Sequence, residues 1–415
     1  MRRYSITRIL NLPEYKITEI ISETDKEIHI RLEPYKRKAG KCGGCGAEHK
    51  KGRHSQEEVI AQDKSISNLK VYLHVIKRFY RCPIDGRIYV EEIDWLKKWS
   101  RVTKRFAEYV NRLTAITTNQ EAGWFLALDD EAVYRIDKEM LEEQYKVKLI
   151  PPPAAINISV DEVSYKKYHR YLTNVVDVDK RAVIWNDKGR KIEVLDRYYV
   201  GIGEDNCKRI ESVALDGART FIGSTIKYAV NATIVYDKFH IMQKLNWAVD
   251  MTRKQELRKA RKENNNELVG LMNCRQRFIL LKNKNNLTEN QAGYLKRLCE
   301  INEPIYKAML LKESFLNVYD CESPEEAQGY LEGWIKDALS SAVETFRIIA
   351  VSFRDKLQYI INWFKKKISS AISEGINNKI KRLKRMAYGY RDVEYFKLKI
   401  HQHCGLLNPR RYSSY

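Results

Sequence analysis

Apolar and polar residues alternate with period two through "YKITEIISETDKEIHIRLEP", in two runs broken near Glu23-Thr24-Asp25. That pattern predicts strands, and residues 1 to about 36 are assigned to them. "KAGKCGGCGAEHKKGRH" then has loop composition, rich in Gly, Cys and His. Strand-like alternation returns on either side of Cys82 in "NLKVYLHVIKRFYRCPIDGRIYVEE". From Trp95 to about Lys148 the period becomes helical, and Pro151-Pro152-Pro153 stiffens the chain at a domain boundary.

Beyond the prolines the pattern changes again. "AINISVDEVS" is an apolar run ending in acids, and "HRYLTNVVDVDKRAVIWND" predicts a hairpin turning at Asp179-Lys180. "KIEVLDRYYVGIGEDNCKRI" predicts a helix, "IESVALD" a strand, "GARTFIGSTIKYAV" a helix and "ATIVYDKFH" a strand. The predicted order is strand, strand, strand, helix, strand, helix, strand. From His240 to about Lys367 the pattern is charged and helical, without a strand, and Glu374 falls in a further helix. The chain shows no internal repeat and no low-complexity tract.

Composition narrows the function. The chain has 415 residues, which predicts more than one folding unit, and its hydrophobic fraction of 44% suffices for real cores. The formal net charge is +21, an excess that points to a polyanionic partner, nucleic acid first. No apolar window is long enough to span a bilayer, and the first residues do not read as a signal peptide. The eight cysteines are scattered and fit a reducing cytosol better than a disulfide framework.

Some of these cysteines carry metal-ligand spacing. Cys42-x-x-Cys45 forms a knuckle that holds a tetrahedral metal from one turn. Its partner is Cys82-Pro83-Ile84-Asp85, which offers a third thiolate and puts Asp85 in the fourth position. His49 and His54 are local alternatives to that aspartate. The alternative is a decayed knuckle with small buried cysteines and no metal, and zinc is the reading preferred over it. Cys207, Cys274, Cys299, Cys321 and Cys404 have no ligand spacing. Downstream, residues 101–144 fit three helices with Thr117 or Thr118 as an N-cap and a turn at Ala127-Leu128-Asp129. As a helix-turn-helix this segment sets Tyr134 and Arg135 on the early turns of the recognition helix. As a helical hairpin it merely packs a linker.

The candidate chemistry lies in acids at predicted strand ends. Asp161 follows the apolar stretch Ile156 to Val160, and Asp216 ends "SVALD" before Gly217. Adjacent strands bring two such carboxylates side by side, where their repulsion calls for a divalent cation. Glu374 completes the set from a helix. It is the only acid between Asp355 and Asp392, among ten cations. Three oxygen ligands with open positions suit Mg²⁺, and two such ions about 4 Å apart stabilise both oxygens of a phosphodiester displacement. Each acid also has an ordinary reading: Asp161 capping a turn, Asp216 capping a helix, Glu374 pairing with Lys381 or Lys367. Asp237-x-x-His240 is a further pair, read as structural or supporting.

"VDEVSYKKYHRYLTNVVDVD", "VALDGARTFI", "IVYDKFHIMQKLNWAVD" and "ISEGINNKIKRLKRMAYGYRDVEYFKLKI" resemble the signature blocks of the ISL3 group of bacterial insertion-sequence transposases. The resemblance runs nearly end to end, and the last block is its most specific part. It implies a multidomain α+β protein: a zinc-knuckle domain over residues 1–100, a helix-turn-helix over 101–150, and a ribonuclease H-like core over 151–240 and 367–415, interrupted by a helical insertion over 241–366. It implies a DDE enzyme with Asp161, Asp216 and Glu374 as catalytic acids holding Mg²⁺ or Mn²⁺, with Asp237 the rival for the second acid and Asp237-His240 an accessory motif. It further implies Zn²⁺ in the N-terminal domain, although Asp85 stands where the family usually has cysteine. The expected partner is double-stranded DNA, transposon ends and target, bound at the nucleoid in the cytoplasm by a dimer that pairs two ends. Asn377, Asn378, Lys381, Lys384 and Arg385 are expected to face DNA. Two rival functions stand beside this one: a regulator that binds DNA with an inert core, against which the intact acids argue, and a host nuclease of the same fold, which would need neither terminal repeats nor the N-terminal domains.

Overall fold

The structure is a computed structural model and describes residues 3–35, 39–49, 51–97, 101–166, 170–273, 276–282, 284–368 and 371–411. Cys274 lies outside them. The chain divides into two compact units, Met1–Val147 with Leu407–Tyr415, and Lys148–Leu406. Among the described residues no helix is long and apolar enough to cross a membrane.

The first unit opens with helix α1 (Arg3–Leu10), where strands were expected. Its apolar residues Ile6 and Leu10 close over the sheet core, which a short amphipathic helix does as well as a strand. The strands are β1 (Tyr15–Glu23), β2 (Glu27–Pro34), β3 (Gly40–Cys42), β4 (Glu48–His49), β5 (Arg53–Ile66), β6 (Leu69–Arg81) and β7 (Ile88–Glu92). They run in the order β1-β2-β6-β7-β3-β4, with β5 also paired to β6. Alternating Ile28, Ile30 and Leu32 of β2 meet Val71, Leu73 and Val75 of β6 on the buried face. Three helices follow: α2 (Lys104–Thr114), α3 (Asn119–Leu126) and α4 (Asp130–Leu149). Thr118 caps α3 in a capping box with Glu121, and Ala127 ends the helix in the left-handed conformation. Phe106, Val110, Ala122, Val133 and Ile136 form their shared core.

The second unit holds a five-stranded sheet made of β8 (Asn157–Lys166), β9 (Arg170–Asp177), β10 (Ala182–Lys188), β11 (Ser212–Leu215) and β12 (Thr233–Tyr236). The strand order is β10-β9-β8-β11-β12. β8, β11 and β12 run parallel, while β9 and β10 run antiparallel to their neighbours. Helices α5 (Ile192–Ile202), α6 (Glu204–Lys208) and α7 (Arg219–Tyr228) lie between β10 and β12 in sequence. Ile158, Val160, Val213 and Leu215 pack against Val194, Leu195, Tyr198 and Phe221 on one face. The chain then runs through α8 (Lys238–Lys262), α9 (Asn266–Leu271), α10 (Arg277–Leu281), α11 (Glu289–Ile301), α12 (Glu303–Leu316), α13 (Pro324–Ser340), α14 (Glu344–Arg354) and α15 (Leu357–Lys365). These helices build their own core around Phe315, Trp334, Phe346 and Phe353, continuous with Tyr236 at the end of β12. Last come α16 (Ala371–Met386) and α17 (Val393–Cys404), whose Ile376, Ile380, Phe396 and Ile400 cover Val163, Leu172, Val176 and Val183 on the other sheet face. With helices on both sides, β9 is buried nearly throughout instead of alternating.

Candidate active site and metal centre

The sheet register brings three acids into one row. Ser212 pairs with Asn157 and Thr233, and Ala214 with Ser159 and Val235. Continued by two positions, that register sets Asp216 beside Asp161 on one flank and Asp237 on the other. β8 does not end at Asp161, as the apolar run suggested; it continues to Lys166 because β9 still pairs with it, Asn174 opposite Asp161. Val160 points into the core beneath α5 and α7, so the pleat turns Asp161 to the α16 face. There Asn377 Nδ2 donates to Asp161 Oδ2 at 2.6 Å, and the Glu162 backbone N–H donates to Oδ1 at 2.7 Å.

His240 Nε2 stands 3.9 Å from Asp161 Oδ2 and 3.6 Å from Asp237 Oδ2, bridging the outer members of the row. Asp237 is buried and caps α8 through the Phe239 N–H at 2.9 Å. Asp216 accepts from the Ala218 N–H at 2.8 Å, in the turn before α7. Burial pushes the Asp161 carboxyl above its usual range; His240 and the Glu162 N–H oppose this, and Asp216 and Asp237 add to it. Glu162 was not singled out in the sequence. Its carboxyl is raised to about 7 by burial and by the charges of Asp216 and Asp161, against Arg190.

Glu374 lies in the first turn of α16, one helical turn before the Asn377 that holds Asp161. The carboxylates of Asp161, Asp216 and Glu374 are not drawn into a closed cage. Among the described residues, the group of at least three ligand atoms gathered within 4.8 Å of one another is Cys42, Cys45, His49 and Cys82. Of the residues expected to face DNA, Asn377 is buried against Asp161, and Lys384 Nζ donates to the Ser164 carbonyl at 3.1 Å. Asn378, Lys381 and Arg385 are exposed along α16. On α4, Arg135 is exposed and Tyr134 half-buried, its hydroxyl accepting from Lys138 Nζ at 3.4 Å.

In the first unit the two knuckles share one backbone design. Cys42 O accepts from Gly46 N at 2.8 Å and Cys82 O from Gly86 N at 2.8 Å. Both glycines have φ +72, a left-handed conformation that favours glycine. The fourth donor differs from the expectation. Asp85 is drawn to its own turn, accepting from the Tyr89 hydroxyl at 2.7 Å and the Arg87 N–H at 3.0 Å, which hold its carboxyl below the usual range. His49, carried on β4, fills the place instead, with Nε2 3.2 Å from Cys45 Sγ. Three thiols and one imidazole are a donor set compatible with zinc.

The family model of the ISL3 transposases with DDE chemistry, described as "Transposase", matches residues 158–400, a span that contains the whole acid row and Glu374. The chain belongs to the ISL3 family of transposases. It is 30% identical to the transposase for insertion sequence element IS1001 of Bordetella parapertussis over 361 residues, covering 86% of this chain and 87% of that protein. It is 25% identical to the transposase for insertion sequence element IS1557 of Mycobacterium tuberculosis over 390 residues, covering 88% and 85%. Membership makes this an insertion-sequence transposase, an enzyme that binds, cleaves and joins DNA.

Proposed function

We propose that Asp161, Asp216 and Glu374 are the catalytic acids of this transposase, and that its five-stranded sheet is a ribonuclease H-like core. The observation that carries this reading is the register that aligns Asp161 with Asp216, next to the helix that bears Glu374. Asp237 is assigned a supporting role, because it is already engaged in capping α8 and in contact with His240. Neighbouring carboxylate oxygens fit a hard divalent cation, and Asp161, raised first by burial and then by the charges of Asp216 and Asp237, would gain most from one. Asp161, Asp216 and Glu374 would hold Mg²⁺ or Mn²⁺, which when bound supplies charge neutralisation at the phosphodiester and an activated oxygen nucleophile. Asn377 fixes Asp161 Oδ2 in advance, and His240 keeps Asp161 and Asp237 together. The reaction is hydrolysis at the transposon ends followed by attack of the freed 3′-hydroxyl on target DNA.

The other assignments rest on composition and placement. Helices α3 and α4 serve as a helix-turn-helix, with Tyr134 and Arg135 at DNA, and Zn²⁺ is held by Cys42, Cys45, His49 and Cys82. Asn378, Lys381 and Arg385 line the strand beside Glu374, and two copies pair the terminal inverted repeats. The test is cleavage of an element-end duplex with Mg²⁺. Asp161→Asn, Asp216→Asn and Glu374→Gln should each lose at least about a hundredfold in rate. Asp237→Asn should lose clearly less. Parent-level cleavage by any of the first three removes that residue from the assignment, and a greater loss at Asp237 than at Asp216 exchanges the two.

A further inference from the structure

Beside Asp216, the structure gathers a set of groups that the acid row does not use. Gly217 has φ +78, and a Cβ there would stand 2.8 Å from Cζ of Tyr236, so the hydroxyl end of that ring lies under the Asp216–Gly217 turn. Tyr236 is only 1% exposed, and among the described residues its Oη has no hydrogen-bond partner. Two lysines reach the same ring from the helical insertion. Lys244 Nζ, from α8, is 5.3 Å from the ring centroid, and Lys356 Nζ, just before α15, is 5.8 Å from it. Arg219, at the start of α7, adds a third charge near Lys356 and pairs with Asp355 at 3.3 Å.

Among the described residues neither lysine has a carboxylate within ion-pair distance; Lys356 Nζ donates to Ser352 Oγ at 3.2 Å. Burial lowers the pKa of both ammonium groups, and neighbouring cations lower it further: Lys356 acts on Lys244, and Arg219 on Lys356. Asp216 pulls both the other way. Asp355 does the same for Lys356, and the three cations outnumber these two carboxylates, so the cluster is short of an anion. Lysine ammonium groups are point charges on flexible stems, suited to phosphate oxygens in any orientation. The anion this enzyme always brings to Asp216 is a DNA strand.

We propose that Lys244 and Lys356, with Arg219 beside them, form a phosphate-binding pocket over the Tyr236 ring that takes a backbone phosphate of the strand adjoining the cleaved bond. The pocket's place in the reaction rests on the reading of Asp161 and Asp216 as the reaction centre; its hold on DNA does not. The helical insertion is then part of the DNA-binding surface.

The test uses the full chain without divalent metal, so that no strand is cut. A fluorescent duplex of roughly 40 base pairs from the element end is titrated by anisotropy between about 50 and 300 mM salt, the range in which bound phosphates are counted. The Lys244→Gln, Lys356→Gln pair should lower the slope of log affinity against log salt by about one, the change that follows when one phosphate is no longer neutralised. Affinity at the lowest salt should fall about tenfold, while the Lys244→Arg, Lys356→Arg pair stays near the parent. A parent-like slope in the Gln pair overturns the pocket. If the Gln pair loses its circular-dichroism spectrum, the single Gln variants carry the same comparison. Asp161→Asn, run alongside and then given Mg²⁺, keeps the parent slope and loses cleavage. Should it cleave like the parent, the reaction-centre reading fails while the slopes still judge the pocket.

Discussion

Glu162 reports burial and charge crowding together at the acid row. It follows Asp161 on β8, opposite Thr173 of β9, and its carboxyl is raised from 4.5 to about 7 by burial first and then by Asp216 and Asp161. A carboxyl raised on folding is favoured in its protonated form. Its contribution is therefore fully present below about 4.5, declines as pH rises, and has become a cost above about 7. Glu162→Gln keeps the size of the side chain and removes the titration. The gap of about 2.5 pH units, at about 1.4 kcal/mol each, sets a ceiling near 3.5 kcal/mol. The side chain is only partly buried, and solvent screening reduces this to about 1–2 kcal/mol. In thermal unfolding of the metal-free protein, Glu162→Gln should melt about 2–6 °C above the parent at pH 8. At pH 4.5 the two should nearly coincide. Added Mg²⁺ should narrow the pH 8 difference, because a cation at Asp216 relieves the same repulsion. An equal difference at both pH values, or a parent more stable at pH 8, refutes the reasoning.

Two further outcomes follow from the geometry. His49→Ala should reduce zinc retained per chain after dialysis against a weak chelator, measured by atomic emission, whereas Asp85→Ala should leave it near one; the reverse order would return Asp85 to the metal. Gly217→Ala should destabilise by about 1–3 kcal/mol in chemical denaturation, since the left-handed backbone and the 2.8 Å approach to Tyr236 Cζ both penalise a Cβ.

Much of the second unit was legible because its pattern is regular. The alternation of strands and helices from Asn157 to Tyr236 follows period and turn residues, and the long helical stretch follows its 3.6-residue period. Side-chain partners were harder to read. Asn377 was assigned to DNA for its place in a basic helix, yet it lies beside Ile376 and Ile380, which face the sheet; tracing that stripe would have turned it inward. β5 carries mostly exposed residues and left no apolar signal. His49 against Asp85 was undecidable from spacing, because the choice depends on where β4 folds back and on Tyr89 and Arg87 occupying the aspartate. The row of acids depends on strand register, which a single sequence does not encode locally.

The separation of 158 residues between Asp216 and Glu374 follows from 374 − 216, and it acquires a physical sense from how the insertion is tied down. Its core includes Tyr236 from β12, with the Phe353 ring edge-on to Tyr236 at 6.3 Å. Asn362 of α15 donates to the Ile234 carbonyl at 2.8 Å, and α16 follows α15 directly in the helical order. Lys356 falls between Phe353 and Asn362, so the contacts that anchor the insertion to β12 also fix this lysine over the ring beside Asp216. A loop of the same length would carry a closure entropy that grows only slowly with length, so length alone gives no reason to fold the segment. The packed aromatic core costs more conformational entropy than a loop and gives a fixed position to Lys244, Lys356 and the start of α15. If Asp216 and Glu374 are both catalytic, as proposed, the insertion is a wall of their site and not merely a spacer between them.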